Sequence, residues 1–210
     1  MARPLYCSLD PTIYYPQVRE PHWDLGFMGT YSVDRQPALE ALLLKTARAW
    51  AEARMVVAGS LYPQQLSWPV NVERIEHVPP AQHRDFYTAQ RFTLNLTRAD
   101  MIRAGYSPSV RLFEAAACAT PIISDYWEGL DAFFKVGKEI LVARTTREAL
   151  CYLREMPEPE RRAIGTRACA RVLTEHTAAH RAEQLERYAY ELLSIPVAHI
   201  APIKQWMTSG

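Results

Sequence analysis

No stretch of this 210-residue chain approaches the roughly 18 consecutive apolar residues that a membrane span requires. The opening MARPLYCSLDP has no apolar core of the secretory kind, so a cytoplasmic protein is expected. A formal net charge of +1 with 22% charged residues provides neither the basic footprint of a nucleic-acid binder nor an acidic tail. Cys7, Cys118, Cys151 and Cys169 are scattered without C-x-x-C spacing and read as reduced thiols. The only close glycine pair, Gly26-x-x-Gly29, lacks the G-x-G-x-x-G spacing, which disfavours a dinucleotide enzyme. His176 and His180 stand four apart without H-E-x-x-H or a third candidate ligand, so a solvated helix face is expected and no metal site. Internal repeats and Asp-x-Asp pairs are also missing.

What remains is an alternation of short apolar runs and helical periods, in a chain long enough to bury a core. Residues 1–22, with Pro4, Pro11, Pro16 and Pro21 among tyrosines, read as an extended lead-in. Strands are expected at 24–31, 54–59, 71–78, 91–97, 121–125 and 139–143, with helices at 37–52 and 80–90 between the first four. Such alternation predicts an α/β, Rossmann-like parallel sheet of about six strands with helices on both faces. After Thr145 the pattern is helical: 147–156, 158–175 and 178–193. The expected division is a lead-in at 1–22, a sheet domain at 23–156 and a C-terminal helical extension at 157–210.

The stretch YSPSVRLFEAAACATPIISDYWE, residues 106–128, is the most informative. Ser107-Pro108 predicts a helix start, with a hydroxyl cap and a proline in the first turn. The helix that follows is apolar almost all round and is expected to be buried, ending at Thr120-Pro121. Arg111 and Glu114 break that pattern. Three apart, they share a face, and a charge on a buried helix is either paired or turned toward a ligand.

RLFEAAACATPIISDYWEGLDAFF followed by GKEILVAR resembles the CgeB-like glycosyltransferases of the group 1 superfamily, in the nucleotide-sugar half of the two-domain GT-B fold. Ala119 stands where the family run usually has Gly, a departure that would stiffen the turn. The resemblance implies a nucleotide-diphosphate sugar as substrate, no further cofactor, and an acceptor domain supplied from outside this chain. A separate N-terminal domain or a second copy of the chain is the partner expected for that role.

In an open parallel sheet, ligands bind at the carboxyl ends of the strands. There the resemblance places Gly29, Thr30, Tyr31 and Arg35 at the phosphates and His77-Val78 at the base. Glu114 takes the ribose, and Ser107 and Ser109 form the helix end that faces the diphosphate. Arg111 and Arg98 are the candidate catalytic groups, as cations that steady the departing diphosphate without metal. Tyr106 occupies the position where the wider superfamily often has a second glutamate. The blander alternatives are an Arg111–Glu114 structural ion pair and surface roles for Arg35 and Arg98. A non-catalytic nucleotide-binding or protein-interaction module is the competing function.

Overall fold

The computed structural model of the protein describes residues 3–193. Residues 1–2 of the expected lead-in and residues 194–210 of the expected extension lie outside that range. Six strands form one parallel sheet: β1 (Trp23–Met28), β2 (Met55–Ala58), β3 (Val72–Ile75), β4 (Gln90–Asn95), β5 (Ile122–Ser124) and β6 (Leu141–Val142). Their spatial order is β3-β2-β1-β4-β5-β6. Adjacent strands in the ladder run parallel, for example Phe27 beside Val57 on one side and Leu94 on the other. The order reverses between β1 and β4, which creates a crevice at their carboxyl ends.

Side chains that alternate along each strand feed two separate cores. Leu25 and Phe27 of β1, Met55 and Val57 of β2, and Ile123 of β5 share one core with Leu39, Leu43 and Leu153. The covering layer on that face is α1 (Gln36–Leu39), a π-helical turn at Glu40–Leu44, α2 (Lys45–Ala49) and α6 (Thr146–Glu155). Val56, Ala58 and Ile122 point the other way and pack with Phe86, Phe113, Ala168 and Val172. That face is covered by α3 (His83–Thr88), α5 (Val110–Ala117) and α7 (Glu158–Glu175). Burial on both faces explains why these strands read as continuous apolar runs.

The central helix differs from its sequence expectation. It is α5, and its N-cap is Ser109, not Ser107, with no side-chain capping bond. A separate short helix, α4 (Ala99–Ala104), precedes it and was not anticipated; none of its residues is buried, so it left no apolar stripe to read. The C-terminus of α5 is a Schellman turn: Thr120 N–H reaches Ala115 C=O at 3.1 Å and Ala119 N–H reaches Ala116 C=O at 2.9 Å. Ala119 therefore sits at φ 54°, a left-handed position that favours glycine. The helix α7 crosses this turn closely, and a side chain at Gly165 would come within 2.2 Å of the Ala119 carbonyl oxygen. Small residues on both helices thus set the α5–α7 approach, and Cys169 Sγ lies 3.3 Å from Ala117 C=O.

The lead-in from residue 3 forms no regular element apart from one parallel bridge between Leu9 and Thr177. It is nonetheless anchored: Leu9 is 2% exposed and Tyr6 stacks edge-on against Phe133. Tyr188 and Gln184, on α8 (Ala178–Leu193), both donate to Pro4 C=O.

The histidine expectation is corrected. His176 ends α7, is 7% exposed and packs against Phe113 and Phe133, so it is not on a solvated face. Burial and the neighbouring Arg181 push its pKa down to about 4. His180 belongs to the next helix, where its Nδ1 meets the Thr177 hydroxyl. Among the described residues no group of three potential ligands could hold a metal.

Candidate functional site

Gly29 leaves β1 and is locked in place by its neighbours. Its N–H donates to Ala58 C=O at 2.8 Å and its carbonyl accepts from Tyr62 at 2.9 Å. Gly59, at φ 144°, lets the β2 loop pass beside it; a side chain there would meet the Gly29 oxygen at 2.2 Å. The Tyr31 N–H is likewise taken, by Ser60 C=O at 2.9 Å. Thr30 is exposed and lends its carbonyl to Arg35. This loop therefore works as a fixed wall, and the cations behind it supply the charge.

Those cations are Arg35 and Arg111. Both guanidinium carbons approach the buried Phe27 ring, at 5.9 Å and 5.5 Å from its centroid. Arg35 is 8% exposed, and its Nε has no hydrogen-bond partner. Arg111 donates to Asn95 at 3.1 Å, and a methyl group at Gly29 would sit 3.4 Å from its guanidinium. Neither pairs with a carboxylate among the described salt bridges. Burial and the like charge of Arg111 both press the Arg35 pKa downward. A buried cation beside a half-buried one is unfavourable unless an anion joins them.

Arg98 lies elsewhere. It is half exposed at the rim, with its Nε 3.1 Å from Asp34, whose other contact is the Ala99 N–H at 2.7 Å. Tyr31, Ser32, Asp34, Arg98 and Arg103 line an open cavity of about 630 Å³ beside the mouth. Asn95 is the hub of a polar network that sequence reading did not find. It donates to Ser124 at 3.0 Å and to Thr97 at 3.3 Å, and Thr97 in turn gives both its N–H and its hydroxyl proton to Asp125. Burial raises the Asp125 pKa, against the pull of the Thr97 bonds and of Arg111. The available signal was an asparagine and a threonine at the exit of an otherwise apolar strand, RFTLNLT.

Glu114 lies one helical turn after Arg111, and the two are not paired. Its carboxylate instead receives two phenols, Tyr14 on Oε1 and Tyr87 on Oε2, each at 2.9 Å. Burial, then the carboxylate's charge, raises both phenol pKa values, so both stay protonated and donate. The side chain is 13% exposed, and a carboxylate has about four acceptor sites, so about two remain for a ligand. Ser107 and Ser109 are half-buried beside the start of α5.

His77 is exposed and Val78 half-buried, and their side chains border a cavity of about 320 Å³ with Trp23, Ile75 and Phe86. From α3 that cavity is lined by Asp85 and Phe86, whereas Tyr87 of the same helix bonds Glu114. The Val78 carbonyl does reach the carboxylate's side, where it meets His83 Nε2 at 3.2 Å. The fold thus brings together Gly29, Arg35, Arg111, Glu114 and the start of α5. Arg98 lies at the rim, and the His77 side chain lines the neighbouring cavity.

A family model described as glycosyl transferase-like matches residues 35–187, which span β2 to β6 and α1 to α7 and begin after β1. The chain belongs to the glycosyl transferase-like family. The sucrose-phosphate synthase of Thermosynechococcus elongatus superposes with a TM-score of 0.71 at 16% identity, over 91% of this chain and 53% of that one. Anabaena HepE, solved in complex with UDP-glucose, gives 0.69 at 12% identity, over 88% and 56%. The C-terminal domain of a glycosyl transferase group 1 family protein from Francisella tularensis gives 0.64 at 12% identity, over 81% and 99%. At such identities the likeness concerns the fold, which is that of GT-B glycosyltransferase domains. The chain spans about half the length of the sucrose-phosphate synthase and of HepE. A search of curated proteins returns no match. No helix among the described residues is long and apolar enough to cross a membrane.

Proposed function

We propose that this chain is the donor-binding half of a CgeB-like glycosyltransferase that takes a nucleotide-diphosphate sugar. One observation carries the reading: the buried Arg35 and the half-buried Arg111 share the β1/β4 crevice with no carboxylate ion-paired to either, one helical turn from a carboxylate held by phenols. The diphosphate lies between the two arginines and the N-terminus of α5, where Ser109 stands as N-cap. The ribose hydroxyls go to the free acceptor sites of Glu114, and the base extends toward the Val78 main chain. The sugar projects toward the rim cavity that holds Tyr31 and Arg98.

In this reading Arg111 and Arg35 lower the barrier by stabilising the diphosphate as the glycosidic bond breaks, with charges already fixed before reaction. Arg98 contributes from the rim, with its charge partly offset by Asp34. The acceptor and the group that activates it come from a second domain or a partner chain. Four free cysteines accord with a reducing, cytoplasmic setting.

Isothermal calorimetry with UDP, GDP, ADP and CDP tests the site. At least one binds the wild-type chain, and Glu114→Ala weakens it by about 1–3 kcal/mol, the scale of bonds to a charged group. Unchanged affinity in that variant removes Glu114 from the site. Sugar transfer is then assayed with the common nucleotide-sugars; binding without transfer would favour a non-catalytic module.

A further inference from the structure

His83 stands on the first turn of α3, and its position follows from two contacts. Its Nε2 lies 3.2 Å from the Val78 carbonyl oxygen. A carbonyl only accepts, so Nε2 holds the ring proton, and in the neutral imidazole Nδ1 is left as an acceptor. That Nδ1 faces Glu114 Oε2 across 4.0 Å. Among the described residues none donates to Nδ1, and the protons supplied to Glu114 come from Tyr14 and Tyr87. Both groups keep access to solvent, with side chains 21% and 13% exposed. With the imidazole neutral, two acceptors opposed across such a gap suit a ligand with two adjacent donors; with it protonated the same contact is an ion pair. A vicinal diol is the simplest group of that description, and a ribose carries one at its 2′ and 3′ positions.

We infer that His83 is a specificity-determining residue: with Glu114 it accepts the two ribose hydroxyls and so selects ribonucleotides over their deoxy counterparts. This rests on the donor-site reading above. The phenols have a part in it as positioning residues. Each occupies one carboxylate oxygen of Glu114 and so fixes the orientation of its remaining acceptor sites toward the imidazole. The tie from Nε2 to Val78 holds the ring in the tautomer that accepts.

The test uses calorimetry on the full chain with the nucleoside diphosphate that binds best and its 2′-deoxy and 3′-deoxy forms. Wild type is expected to bind each deoxy form at least tenfold more weakly, the scale of one lost bond to a well-placed acceptor. His83→Phe keeps a ring and removes the acceptor. It should collapse one of the two penalties to within twofold while leaving affinity for that same deoxy form unchanged. His83→Asn, whose amide oxygen takes the place of Nδ1, should keep both penalties. Ribonucleotide binding with both penalties intact in His83→Phe overturns the assignment to His83 and leaves the donor site standing. Ribonucleotide and deoxy forms bound equally by wild type overturn the diol reading. Failure of all four nucleoside diphosphates to bind overturns the donor site and this inference with it.

Discussion

The two ends of the parallel sheet treat arginine in opposite ways. At the amino ends, near the starts of β1 and β4, Arg91 meets Asp24 at 3.1 Å. Nearby Arg161, 6% exposed, is gripped by Glu158 and donates to the Arg91 carbonyl at 2.8 Å. Arg161 holds the Glu158 pKa down at about 2. At the carboxyl ends Arg35 is nearly as buried, yet its guanidinium donates to one carbonyl and lies over the Phe27 ring, and the like charge of Arg111 outweighs the pull of Asp34. Equal burial with unequal pairing separates the jobs. The paired cations dock α7 onto the sheet, and the unpaired ones are those to which the proposed function assigns the diphosphate.

Breaking a pair at the amino end should cost the most. Arg161→Met is expected to lose about 2–3 kcal/mol in urea unfolding, chiefly because it strands the Arg91 carbonyl; Glu158 stays half exposed and bonded to Arg162. A loss under about 1 kcal/mol would mean that the two ends do not differ. Next comes acid. His176 has its folded pKa depressed to about 4 from 6.5, so the unfolded chain binds the proton first. Its contribution is fully present above pH 6.5 and is lost as pH falls toward 4. On the order of 2 kcal/mol should disappear over that window, read as a falling melting temperature, and His176→Phe should flatten that step.

A smaller effect of opposite sign is expected at the α5 turn. Ala119→Gly relieves a left-handed alanine at φ 54° and should stabilise by about 1 kcal/mol, measured by chemical denaturation. The smallest stability change belongs to the mouth. Arg35→Met should leave folding within about 0.5 kcal/mol of wild type or improve it, because it removes a strained cation and breaks no ion pair. The same variant should bind nucleoside diphosphates at least tenfold more weakly, the scale of a lost charge-assisted bond. Marked destabilisation by Arg35→Met would erase the contrast between the ends.

Much of the fold was legible. β2, MVVA, is buried at every position, and its unbroken apolar run marked a strand covered on both sides. Alternation of such runs with helical periods led to the parallel sheet, and 158–175 and 178–193 coincide with α7 and α8. Less was legible where local signals compete. Ser107-Pro108 looks like a helix start, but the chain reaches Ser109 before turning helical. Tyr106 takes a left-handed φ of 46° just before it, with its N–H on the Glu128 carbonyl at 2.7 Å. In the site, Arg111 and Glu114 stood out because charge on an apolar helix is conspicuous. Tyr14 and His83 did not, since a tyrosine in a proline-rich lead-in and a histidine at a helix start carry no pattern of their own.

The sequence by itself determined that a parallel sheet would form and that a charged helix would stand at its centre, because apolar periodicity and burial cost act locally along the chain. Tertiary structure alone decided the partners. It placed Tyr14 on a carboxylate 100 residues away and turned Arg111 to Asn95 rather than to Glu114. It also left Arg35 facing Arg111. Hydrogen bonds and charge pairs depend on distances of a few ångströms between residues remote in sequence, and these are set when the strands take their spatial order.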